Sequence, residues 1–195
     1  TTASQAEHSL QMLGIVGLLD PPRPKVRDSV RACREAGIRV AVVTGDHPST
    51  AAAVAEQVGL LDSGRLVVTG AELPDSTEDL GRLLDRDGVV LARVSPEDKL
   101  RVAQALQLQG HVVAMTGDGV NDGPALREAD VGVAMGRTGS DVAREAADLV
   151  LLDDDFATII AAIEQGRATF RNIRRFLTYH LTDNVAELFP LVVWS

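Results

Sequence analysis

From residue 38 to residue 152 the chain alternates short apolar runs with helical patterns, and this alternation constrains its fold more than anything else. Residues 38–43 are apolar apart from Arg39. A helical stretch follows, with Pro48 in its first turn and Ala51, Val54, Ala55 and Val58 on one face. Residues 89–94 predict the next core strand. Ser95 and Asp98 then form a capping box that opens a helix with the face Leu100, Ala103 and Leu106, and Gly110 stops that helix. Residues 111–115 predict a third strand, 121–128 a short helix, 131–135 a fourth strand, 140–147 another helix and 149–152 a candidate fifth strand. Residues 60–87, rich in Gly and Asp, predict loops and a weakly held helix. The expected class is α/β: right-handed crossovers and a mostly parallel sheet with helices on both faces.

In such sheets ligands bind at the carboxyl ends of the strands. Thr44-Gly45-Asp46, the segment 95–99 and the segment 116–122 all fall at strand-to-helix junctions, so they should converge on one edge. The net charge of −9 argues against a nucleic-acid partner. The single cysteine, Cys33, shares a predicted helix face with Val26 and Val30. It therefore reads as a small core residue, and one cysteine gives no disulfide framework, which fits a reducing compartment. Residues 1–8 are polar and show no secretory pattern.

Thr116-Gly117-Asp118-Gly119-Val120-Asn121-Asp122 packs two carboxylates and an amide into one turn. Asp118 and Asp122 suit magnesium, which takes oxygen ligands and usually only one or two protein carboxylates beside water and phosphate. The plainer reading is that they cap a turn and a helix start. Thr44 offers a hydroxyl, and Gly45 and Asp46 offer backbone N–H groups near a helix start that would welcome an anion. Basic residues are nearly all Arg; Lys25 and Lys99 are the exceptions. Lys99, beside Glu97 and Asp98, would supply a compact positive charge against phosphate or carboxylate. Cation, ammonium and donors are the parts of a phosphoryl-transfer site, but no activated nucleophile is evident. Asp20 is a candidate by position only, because Pro21 and Pro22 make its surroundings a rigid connector.

Asp20-Pro21-Pro22-Arg23, Thr44-Gly45-Asp46, Pro96-x-x-Lys99 and the run from Thr116 to Leu126 stand in the order found in the P-type cation-transporting ATPases. Segments 132–136 and 147–151 resemble the same family, as does nearly all of the chain from about Gly14. The resemblance implies a haloacid-dehalogenase-like phosphorylation domain. In that domain an Asp of an Asp-Lys-Thr-Gly-Thr motif, absent here, is phosphorylated by ATP and then hydrolysed to drive ion movement. By position it implies that Asp118 is the magnesium ligand with Asp122 in the same acidic turn, and that Lys99 neutralises the aspartyl phosphate. Thr44, Gly45 and Asp46 form the phosphate-side loop, Asn121 a polar contact to it, and Asp20 and Arg23 the hinge on the nucleotide side. Gly123 departs from the usual Ala of the family.

From Phe176 the sequence becomes mostly apolar but carries His180, Asp183, Asn184 and Glu187, which share a helix face, after Arg167, Arg171, Arg174 and Arg175. A soluble amphipathic helix and a membrane segment fit this pattern about equally. The resemblance favours the stalk and start of the fifth membrane helix, with Asn184 and Glu187 as ligands of the transported cation and Asp183 in place of the more usual Ser.

The expected arrangement is an incomplete phosphorylation domain over residues 1–155 and a stalk and membrane-helix start over 156–195. It would belong to a calcium-like or sodium–potassium-like pump of the cell membrane, with the α/β domain in the cytoplasm and magnesium as cofactor. ATP and phosphate would be engaged through a front half that this chain lacks, leaving the chain alone inactive. The alternatives are a soluble haloacid-dehalogenase-like phosphatase, for which no Asp-x-Asp is found, and a non-catalytic magnesium-binding module.

Overall fold

A computed structural model describes residues 11–14, 16–17, 21–61 and 66–194; Asp20 lies outside the described residues. The order is α1 (Val26–Glu35), β1 (Ala41–Val43), α2 (Pro48–Gln57), β2 (Leu66–Thr69), α3 (Thr77–Leu84), β3 (Val89–Ala92), α4 (Pro96–Leu108), β4 (Ala114–Gly117), α5 (Gly123–Glu128), β5 (Val131–Met135), α6 (Asp141–Ala146), β6 (Leu149–Leu151) and α7 (Phe156–Val193). All strand pairs are parallel.

The sheet comes in two halves. One has the order β1-β3-β2, the other β4-β5-β6, and among the described residues neither β1 nor β4 has a partner on its outer edge. In the first half, β3 is central and wholly buried, and its period of two feeds two cores. Val89 and Leu91 face Leu80, Leu84, Val102 and Ala105 of α3 and α4. Val90 and Ala92 face Val30, Ala51 and Ala55 of α1 and α2. In the second half, Leu126, Ala134 and Ala143 pack α5 and α6 onto β5.

Helix α4 joins the halves. Val102 and Ala105 belong to the first core, whereas Ala103, with Leu106 beside it, packs on Val113 and Ala129 of the second. Its start is the expected capping box: Ser95 Oγ accepts the Asp98 N–H at 3.1 Å, and the Asp98 carboxylate accepts the Ser95 N–H at 3.0 Å. Gly110, at φ +83°, follows its end as expected.

The stretch 60–87 corrects its sequence reading. It contributes a full strand, β2, and a helix held by Leu80 at 0 % exposure, not loops around a weak helix. Four apolar-to-polar residues are too short a run to show a period, and only pairing with β3 makes them a strand. The third strand also runs later than expected, so that Thr116 and Gly117 end β4. Val131–Met135 matches its expected bounds.

Helix α7 is 38 residues long, yet no helix among the described residues is both long and apolar enough to cross a membrane. His180, Asp183, Asn184 and Glu187 interrupt its apolar stretch. Its root packs against α1, while residues 170–189 are exposed throughout.

Candidate active site

The gap between the half-sheets opens at the carboxyl ends of β1 and β4 into a mouth of about 500 Å³. Thr44, Lys99, Asp118 and Asp122 all line it, so the convergence expected from the sequence is met for these four, and Arg23 lines it beside them. Gly45, Asp46 and Asn121 do not line it, and Asp183, Asn184 and Glu187 lie exposed on α7.

Asp122 organises the acidic turn. One carboxylate oxygen accepts from Lys99 Nζ at 2.6 Å, and the other accepts the backbone N–H groups of Asp118 at 3.1 Å and Gly119 at 2.9 Å. A Cβ on Gly117 would stand 2.5 Å from the Asp122 Cβ, so glycine is needed for this approach. Burial pushes the Asp122 carboxyl up. The Lys99 hydrogen bond, the Gly119 N–H, the Lys99 charge and the Asp118 N–H outweigh that and hold it below the usual aspartate value.

The Asp118 carboxylate is exposed in the mouth and makes no hydrogen bond among the described residues. The two carboxylates paired in the sequence therefore have different surroundings. Asp122 is turned inward and committed to Lys99 and the backbone, whereas Asp118 is open to the mouth.

Thr44 ends the β1 run, with its N–H on Leu91 O at 2.8 Å. Its hydroxyl accepts the Asp46 N–H at 3.1 Å, so that N–H closes the turn and is not offered to an anion. This corrects the expectation for Asp46. The helix start that follows is capped by His47, whose ring nitrogen accepts the Ser49 N–H at 3.3 Å.

Thr138, Asp154 and Phe156 also line the mouth and were not singled out in the sequence. Thr138 follows a strand end, as Thr44 and Asp118 do, and that rule would have found it. Asp154 had no local signal. It is buried at 4 % exposure with φ +54°, and its carboxylate accepts the N–H groups of Arg137 and Thr138, each at 2.9 Å. Those bonds hold its carboxyl below the ordinary value, with the Arg137 N–H foremost. Its carbonyl accepts from the Arg23 guanidinium. Ser140 N–H, at the other end of the same loop, donates to Asp118 O at 2.8 Å. One loop thus ties the acidic turn to the root of α7.

A family model for haloacid dehalogenase-like hydrolases matches residues 1–130. The chain belongs to the haloacid dehalogenase-like hydrolase family. Within that family its similarity runs to cation pumps. It is 51 % identical over 189 residues to a calcium-transporting ATPase of Bacillus subtilis (strain 168), covering 96 % of this chain and 21 % of the relative. It is 54 % identical over 183 residues to the probable cation-transporting ATPase F of Mycobacterium tuberculosis (strain ATCC 25618 / H37Rv), covering 92 % and 20 %. With the human potassium-transporting ATPase alpha chain 2 it shares 45 % over 212 residues, covering 95 % and 20 %. A solved zinc-transporting PIB-type ATPase in an E2·Pi state superposes with a TM-score of 0.62 at 32 % identity, over 80 % of this chain and 21 % of that one. The resemblance to P-type cation-transporting ATPases therefore holds across this haloacid dehalogenase-like chain, which spans about a fifth of the length of these curated relatives.

Proposed function

We propose that this chain is the back part of the phosphorylation domain of an ATP-driven cation pump, with α7 as the root of its stalk. Its mouth would stabilise an aspartyl phosphate carried by another part of the protein. The observation that carries this reading is the Lys99–Asp122–Asp118 arrangement at the open seam between β1 and β4. The unpaired edges of β1 and β4 flank the mouth, so a strand bearing the nucleophile would enter beside Thr44 and Thr116.

Each residue has a task in this reading. Lys99 is held near the mouth by Asp122 and places its ammonium against developing phosphate charge. Asp122 fixes both Lys99 and the Asp118 backbone. The Thr44 hydroxyl accepts the Asp46 N–H on one lone pair and keeps its proton for a phosphate oxygen. Asp118 fits magnesium by donor chemistry, because it is an exposed hard-oxygen ligand lining the mouth. Such a site leaves most positions to water and phosphate, as magnesium prefers. When bound, the ion would neutralise phosphate charge in the transition state. On α7, Asn184 and Glu187, with Asp183 beside them, are proposed as oxygen ligands for the transported cation in the cell membrane, with the α/β body on the cytoplasmic side.

The similarity to cation-transporting ATPases does not favour the soluble-phosphatase alternative. Incubation with γ-labelled ATP tests the reading. The expected outcome is no acid-stable label on this chain, and label on any of its aspartates would overturn it. Magnesium titration should show Asp118→Asn weakened by at least the roughly 10- to 100-fold that loss of an outer-shell partner costs. An unchanged affinity would remove Asp118 as a ligand.

A further inference from the structure

We propose that Arg171, Arg174 and Arg175 form a collar on α7 that takes the phosphates of anionic lipid headgroups. The proposal rests on the membrane reading above and names the lipid that α7 meets. The three arginines, with Thr178 and Tyr179, surround an open groove of about 480 Å³ on the helix surface. All five residues are exposed, and among the described residues none of the three guanidiniums has an acidic partner.

The position of the collar is as informative as its charge. One turn earlier, Arg167 donates to Ala36 O at 2.9 Å and ties α7 to the α/β body. Just beyond the collar come exposed Phe176, Leu177, Leu181, Val185, Leu188 and Phe189. The arginines thus stand where the helix leaves the body and turns apolar, which is the level of the headgroups if the apolar part enters lipid. No Asp or Glu occurs from residue 165 to residue 182, a stretch that carries four arginines in a chain of net charge −9. Long guanidinium stems can reach phosphate while their methylenes lie on apolar surface, and Tyr179 suits the same wet–dry boundary. The complementary partner is a surface of negative phosphates at the edge of hydrocarbon.

Overall charge and local charge make opposite predictions, which makes the test sharp. A chain of net charge −9 is repelled as a whole by an anionic surface, so a preference for one must come from the collar. The full chain is co-sedimented with vesicles of phosphatidylcholine alone and of phosphatidylcholine mixed equally with phosphatidylglycerol, at low salt. The expected partition onto the mixed vesicles is about tenfold stronger and weakens with salt. The variant Arg171→Gln/Arg174→Gln/Arg175→Gln should fall to the neutral-vesicle level, and the matching triple Lys variant should retain the preference. A charge-matched control on the body, Arg31→Gln/Arg82→Gln/Arg86→Gln, should behave as wild type.

Equal partition of wild type onto both vesicle types would overturn the collar while leaving apolar insertion intact. Binding to neither would overturn the collar and withdraw support from the membrane reading as well. Displacement by inorganic phosphate beyond that by chloride at equal ionic strength would identify a free-phosphate site and overturn the lipid assignment.

Discussion

Asp122 sets the behaviour of the mouth. Its carboxyl is depressed because Lys99 and two backbone N–H groups outweigh its burial. A depressed carboxyl adds stability above its unfolded value, about pH 3.9, and that stability is lost as pH falls through the lower folded value. Asp122→Asn keeps the size but loses the charge-assisted bond to Lys99. At neutral pH it should cost about 2 kcal/mol in urea unfolding, with the gap to wild type closing below about pH 4. A gap that stayed constant through the acid limb would contradict the role given to this ion pair. Asp122 was legible in the sequence as a member of the turn. Its inward task was not, because a motif records neighbours along the chain and not which oxygens a lysine 23 residues away will occupy.

Among the elements, β5 shows which glycines are required. A Cβ at Gly132 would stand 2.4 Å from Leu126 O and 3.3 Å from the Ala147 Cα, where the ends of α5 and α6 close on the strand. Gly132→Ala should therefore destabilise by about 2 kcal/mol in thermal or urea unfolding. Gly45→Ala, whose nearest atom is Val94 O at 3.9 Å, should change stability little although it lies in the more conspicuous motif. Wild-type stability in Gly132→Ala would refute the close packing. The strands flanking the motifs, the capping box of Ser95 and Asp98 and the helix face around Cys33 were readable because each is a local pattern. β2 was not, because only its neighbour β3 makes four residues into a strand. Asp154 escaped for a similar reason: its partners lie 16 and 17 residues away, and its left-handed backbone leaves no mark in an Asp-rich run.

At the level of the whole molecule, the seam between the half-sheets predicts a pattern of amide exchange. β3 amides, buried and bonded on both sides, should exchange slowest, whereas the outward amides of β1 and β4 should exchange orders of magnitude faster. Uniform protection across the three strands, read by mass spectrometry or NMR, would mean the edges are covered. The parallel α/β class was legible in the alternation, but the split was not, since the alternation records the order of strands along the chain and not which of them pair. The seam and the long helix meet at Asp154, whose carboxylate holds the loop running to Asp118 and whose carbonyl takes Arg23. At about 1.5 Å per residue, the 38 residues of α7 make a rod of about 57 Å, held to the body as far along as Arg167, so that the part beyond reaches about 39 Å. Rocking the helix by about 5° about that hold moves its far tip by about 3 Å. Any change of tilt between body and helix is therefore smallest beside the mouth and largest at the distal end of the helix.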